Sequence, residues 1–191
     1  MSKSINNSVL WISALVLVCM LSRILPHPSN FSPLAAIALF SAAYFKRNYW
    51  SYIIPFVALW LSDLFLNNVV YKQMYPDLYT SFVWFSGAGN YLGFFFIALM
   101  GMWSLNKINV PRIAGSSIAA SVIFFIVSNL SVWAEGMMYP KTVDGLATCY
   151  TMAIPFFWNT LLGDLFYCTV IFGLYFLYER YRAGKLAAEK R

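Results

Sequence analysis
In a chain this apolar, ten side chains stand out: Arg23, His27, Asn30, Asp63, Asn67, Asn90, Asn129, Trp133, Asn159 and Asp164. A guanidinium and two carboxylates can pair with one another or hold charged groups of a ligand, and amides supply both donors and acceptors. Asp164 is the strongest candidate, as the only charge between Gly145 and Tyr178. His27 is the single histidine; its imidazole suits pH sensing or ligand binding, or a plain hydrogen-bonded place in a loop. Other chemistries are poorly served. Serines lie near His27, but no recognisable nucleophile motif accompanies them. No G-x-x-x-x-G-K-[ST] sequence is present, so the chain itself is not expected to hydrolyse ATP. The single histidine and the spacing of Cys19, Cys149 and Cys168 do not match a metal site, and the cysteines read as packing residues. The sequence therefore predicts neither an enzyme nor a cofactor or metal. Binding or helix bracing is what remains.

The elements that must position these residues are membrane spans. The chain of 191 residues is 61% hydrophobic and 10% charged, far below the roughly 25% charge of soluble domains. The reading is an all-α integral membrane protein, a single domain of six transmembrane helices over about 4–22, 33–45, 49–67, 81–105, 113–133 and 153–178, with a basic cytoplasmic tail over 179–191. The second span is short. Its thirteen residues reach about 20 Å, against a hydrocarbon core of about 30 Å. The preceding Pro-His-Pro-Ser-Asn-Phe segment is expected to complete the distance as buried irregular backbone, which is allowed only where protein or a water-filled cavity surrounds it.

Charge sets the orientation. With the N-terminus inside, Lys3, Lys46, Arg47, Lys107, Arg112 and the five basic residues of the tail (Arg180, Arg182, Lys185, Lys190 and Arg191) are cytoplasmic, leaving only Arg23, Lys72 and Lys141 outside. Both termini are then cytoplasmic. The net charge of +6 suits anionic lipid beside the tail and not nucleic acid.

This orientation puts the costly polar residues in the outer half of the bundle, where they are expected to face its interior or a cavity. Either Arg23 pairs with Asp63 or Asp164 while the asparagines hydrogen-bond between helices, or the cluster lines a substrate pocket covered by the outer loops. Pro26, Pro28 and Pro33 stiffen the first outer loop and so the presentation of His27 and Asn30. The fifth loop, from Glu135 to Tyr150, is long enough to fold over the outer face. A weak echo between Pro55–Phe65 and Pro155–Phe166, each opening Pro-Phe and closing Asp-Leu-Phe, nominates Asp63 and Asp164 together.

Arg-Ile-Leu-Pro-His-Pro-Ser-Asn-Phe from Arg23, Ser62-Asp63, the Asn129 to Trp133 stretch, Tyr139-Pro140-Lys141-Thr142 and Asn159-Thr160-Leu161-Leu162-Gly163-Asp164 together resemble an uncharacterised family of small bacterial membrane proteins. That family is regarded as a transport family similar to the S components of energy-coupling-factor (ECF) transporters. The resemblance implies an S-component-like six-helix bundle in the bacterial inner membrane, with a vitamin-like small molecule bound near the outer face and an ATPase module as the energising partner. Arg23, His27, Asn30, Asp63, Asn129, Trp133, Asn159 and Asp164 would line or brace that pocket. One feature departs: the first helix lacks the Ala-x-x-x-Ala pair that S components often use for docking, although Ala38 and Ala42 on the second helix have that spacing. The competing expectation is a non-transporting scaffold of an envelope complex, similar to MreD, in which the polar residues are internal glue.

Overall fold
The twelve residues Leu34–Phe45 form α1, which carries no charge and only one polar hydroxyl outside its aromatic end. A helix apolar on every side is stable only when surrounded. Ten of its residues, Leu34 through Ala43, are buried, and α1 packs against every later helix of the bundle. The computed structural model describes residues 17, 21–23, 25, 27–45, 48–136 and 138–188. Around α1 stand α2 (Trp50–Met74), α3 (Ala88–Ser104), α4 (Val110–Glu135) and α5 (Val143–Ala188). Among the described residues there is no strand.

The expected count of six spans is corrected here. Three described helices are long and apolar enough to cross a membrane: Trp50–Met74, Val110–Glu135 and the Val143–Lys185 part of α5. The second expected span is a core helix. Its alanines let neighbours close in on all sides, so it is covered by protein and does not face lipid. Ala38 and Ala42 are completely buried, and a Cβ on Gly101 of α3 would come within 3.0 Å of Ala42; that pair cannot present a docking surface. The fourth expected span begins at Ala88 and not at Ser81, leaving 17 helical residues. The first expected span, apart from Leu17, Leu21 and Ser22, lies outside the described residues, Cys19 included, as do Pro26, Lys46, Arg47 and the last three residues of the tail.

The start of the fourth expected span and the fifth loop also differ from expectation. Residues 81–87 return along α2 as an irregular strap, because α2 side chains capture its backbone. Asn68 Nδ2 donates to the Val83 carbonyl at 2.9 Å while its Oδ1 accepts from the Val83 N–H at 2.8 Å. Trp60 Nε1 donates to the Trp84 carbonyl at 3.1 Å, and Ser86 Oγ donates to Asp63. The fifth loop is shorter than expected. Thr142 Oγ1 accepts from the Gly145 N–H at 3.1 Å, a cap that starts α5 at Val143. The 46 residues of α5 extend about 69 Å, roughly twice a hydrocarbon core, so the helix continues through much of the expected basic tail.

Contacts fix the relative directions. Phe31 meets Phe166 and Tyr167, Phe40 meets Phe172, and Tyr44 meets Tyr175, so α1 and α5 run the same way. Ser116 of α4 bonds Ser104 of α3, while Ser131 near the other end of α4 accepts from Gly89, making those two helices antiparallel. Arg112 and Asn106 then cap one end of the bundle; the polar cluster gathers toward the other.

Candidate functional site
Asp63 and Asp164 have separate roles. Arg23 Nη1 lies 2.9 Å from Asp63 Oδ1 and also donates to Ser62, which is itself bonded back to the Ala58 and Leu59 carbonyls of α2. Ser86 of the strap donates to the other Asp63 oxygen. One carboxylate thus ties together the chain at Arg23, helix α2 and the strap. Both oxygens are occupied, and its charge is compensated.

Asp164 is only 3% exposed and is the one described acid buried in the bundle without a cation within 4 Å; the ion pairs among the described residues are Arg23–Asp63 and Arg182–Glu179. Its partner is Ser121 of α4, whose Oγ donates to Oδ2 at 2.7 Å. That hydroxyl also lies 3.1 Å from the Ser117 carbonyl, and it has one proton to give. The next residue toward the helix start, Gly163, lets the chain before α1 press against α5: a Cβ there would lie 3.1 Å from Phe31 Cα and 3.2 Å from the Ser32 nitrogen.

That chain is the Pro-rich segment, and it forms the wall of a cavity. The Phe31 N–H donates to the Pro28 carbonyl at 3.0 Å, closing a tight turn. Asn30 sits at its third position with φ of 64°, a conformation that Asn tolerates better than most residues. The cavity has a volume of about 400 Å³ and is bounded by Arg23, His27, Ser29, Asn30 and Ser32 on this side. Leu34 and Ala35 of α1, Leu59, Leu66 and Tyr71 of α2, Asn90 and Phe94 of α3, Phe124 of α4 and Thr160 and Asp164 of α5 complete it. A smaller chamber of about 190 Å³ adjoins it, sharing Asn30, Asn90, Phe124 and Thr160 and adding Ser128 and Asn129. The irregular backbone before α1 therefore borders a polar cavity, but His27, Pro28, Ser29 and Asn30 are exposed and not buried as expected.

Residues 66–71 of α2 form a π-helical stretch, a helix irregularity frequently found at functional sites. Two of its members, Leu66 and Tyr71, face the cavity. Tyr79, whose ring lies 5.7 Å from that of Tyr71, has its phenol pKa raised by burial first, then by the nearby Tyr71 and Asp63. The His27 ring is exposed, with Nδ1 2.8 Å from the Pro28 carbonyl and Nε2 3.2 Å from the Arg23 carbonyl. A neutral imidazole donates from only one nitrogen, so one of these contacts is a hydrogen bond in that form and both are in the imidazolium.

Of the eight residues expected at the site, Arg23, His27, Asn30 and Asp164 line the main cavity, Asn129 lines the adjoining chamber, and Asp63 holds Arg23 from behind. Trp133 and Asn159 line neither. Trp133 Nε1 donates to the Pro140 carbonyl at 2.9 Å while Lys141 covers its ring and donates to its carbonyl, so Trp133 braces the loop between α4 and α5. Asn159 is half-buried, one helical step away from the face that carries Thr160 and Asp164. Thr160 and Ser121 were not anticipated. Hydroxyls bond their own helix backbone and carry no sequence signal of cost; the helical spacing from Thr160 to Asp164 marks Thr160, and Ser121, on another helix, has no such signal.

The family of unknown function DUF6580 has a model that matches residues 3–186, nearly the whole chain. No curated protein and no solved structure matches it. The chain belongs to the DUF6580 family.

Proposed function
We propose that this family member is a membrane transport protein: a substrate-binding subunit, similar to the S components of energy-coupling-factor transporters, that holds a small molecule in the cavity beneath Asn30 and Asn90. The reading places it in the bacterial inner membrane with both termini in the cytoplasm and the cavity near the outer face, and it draws energy from a separate ATPase module. One observation carries it. Asp164 is buried, lacks a counter-ion among the described residues and lines a cavity of about 400 Å³, a volume within the roughly 300–1,000 Å³ of small-molecule sites. Intramembrane carboxylates are rare and mark ligand or ion paths. The mixture of amides, hydroxyls and aromatic rings in the wall suits a ligand with both polar and apolar parts. The internal-glue alternative accounts for Asp63, whose oxygens are both occupied, but leaves Asp164 and the cavity without a role.

The test is to purify the full chain from native membranes in mild detergent, extract small molecules and identify them by mass spectrometry. A metabolite that is stoichiometric with wild type and absent from folded Asp164→Ala protein supports the reading. Repeated wild-type preparations with no bound molecule would overturn it.

A further inference from the structure
The occupant of the cavity has a charge that its wall dictates. The cavity is bounded by one guanidinium and one acid, but these do not cancel each other. Arg23 is bound at 2.9 Å by Asp63, while Asp164 meets only the hydroxyl of Ser121. That hydroxyl has one proton for two acceptors, Asp164 Oδ2 and the Ser117 carbonyl, and no group among the described residues donates to Oδ1. A buried carboxylate in this state is short of both positive charge and hydrogen-bond donors, and removing an ion from water without a partner costs several kcal/mol. The helices packed on α5 bring Asp164 no relief. The titratable residues of α1 are limited to Tyr44, those of α3 to Tyr91, and Arg112 and Glu135 of α4 lie near that helix's two ends. The remaining titratable groups of the wall are His27 and Tyr71.

We infer that the cavity takes a small organic cation, a primary amine whose ammonium group sits against Asp164 and whose apolar body lies on Phe94 and Phe124. This rests on the reading of the cavity as a ligand site and adds the class of the ligand. An ammonium supplies three donors and one positive charge, which is what Asp164 lacks. Phe94 and Phe124 pack with ring centroids 5.1 Å apart and both face the cavity, so an apolar surface lies beside the carboxylate. Asn30 and Asn90 remain for the polar end of the molecule. A divalent metal is a poorer occupant, since it seeks several charged or oxygen ligands and no group of three His, Cys, Asp or Glu residues gathers among the described residues.

The experiment uses three probes of one shape: tyramine, 4-hydroxyphenylacetate and 4-ethylphenol, which differ in bearing an ammonium, a carboxylate or neither. The full chain in nanodiscs is titrated with each, with thermal stability as the readout. Wild type is expected to respond to tyramine at about tenfold or more lower concentration than to the other two, the ratio that one charge-assisted hydrogen bond supports. Asp164→Asn removes that preference, and Asp164→Glu, which keeps the charge, retains part of it. Equal responses to amine and neutral probe, a preference for the acid, an unchanged preference in Asp164→Asn, or no response to tyramine would each overturn the assignment. A co-purifying metabolite that is neutral or anionic would also overturn it while leaving the cavity a ligand site; a wild-type protein that never carries a metabolite counts against the site itself.

Discussion
Arg23 Nη1 and Asp63 Oδ1 form an ion pair at 2.9 Å, with only 15% and 8% of the two side chains exposed. The pair holds the entry to the Pro-rich segment against α2. Removing one partner strands the other in a desolvated place, which costs about 3 kcal/mol or more, whereas replacing both by apolar residues of similar size is close to neutral. Arg23→Met and Asp63→Leu should each lower the denaturation midpoint in detergent, and the double variant should recover most of the loss. Additive losses would contradict a direct pairing.

Asp164 predicts the opposite sign. Its carboxylate is uncompensated in the ligand-free protein, so the isosteric Asp164→Asn should leave stability unchanged or raise it by about 1 kcal/mol, since it removes a buried charge and not a pair. Thermal denaturation of ligand-free protein measures this. A loss of several degrees in Asp164→Asn would show that the carboxylate is a structural anchor.

Gly163 controls how closely the cavity wall approaches α5. A methyl group would sit 3.1 Å from Phe31 Cα and 3.2 Å from the Ser32 nitrogen, so backbone, and not a flexible side-chain tip, must give way. Gly163→Ala should cost about 1 kcal/mol and Gly163→Leu about 3 kcal/mol, within the range for overpacking. Both should weaken small-molecule retention more than substitutions at Gly173, where a Cβ meets nothing within 4 Å.

Asn68 pins the strap through both edges of its amide. Asn68→Ala removes two hydrogen bonds to Val83, each worth about 1 kcal/mol net. Hydrogen–deuterium exchange should quicken over residues 81–86 and remain unchanged in α1. Protection that persists over the strap would mean that Trp60 and Ser86 hold it alone.

Much of this arrangement is written in the sequence, and the exceptions have physical causes. The apolar periods around Asp63 and Asp164 locate α2 and α5, and the Pro-rich segment is irregular backbone beside a cavity, but His27, Pro28, Ser29 and Asn30 are exposed and not buried as expected. Leu34–Phe45 is as apolar as a lipid-facing helix, and composition does not reveal whether protein or lipid covers it; its 12 residues are the better signal, because helices this short are more often buried core or re-entrant elements. The strap over 81–87 reads as a continuation of α3 because its residues are apolar, while the groups that capture its backbone, Asn68 and Trp60, lie far away in sequence. Trp133 and Asn159 were chosen for polarity and for their place in the motifs that carry the family resemblance. The buried face of α5 runs through Cys149, Ala153, Thr160, Asp164, Cys168, Ile171 and Tyr175, and that periodicity excludes Asn159 and includes Thr160.

The orientation drawn from charge makes a separate prediction. Thr80 lies on the exposed hairpin near the cavity end, and Ile108 lies between α3 and α4 at the opposite end. In a chain stripped of its native cysteines, Thr80→Cys should react with a membrane-impermeant maleimide in intact spheroplasts, and Ile108→Cys only after permeabilisation. The reverse pattern would invert the topology and place the cavity on the cytoplasmic side.

The central claim, that one cavity between the Pro-rich segment and α2 to α5 holds a small molecule, is tested most directly by native mass spectrometry of the intact chain. Wild type, Trp133→Phe and Asn159→Leu should each carry the same added mass, because neither altered residue lines the cavity, while Asn90→Leu with Thr160→Leu, which fills it, should show the bare polypeptide. An added mass that survives the filled cavity, or a wild type with none, would contradict the account.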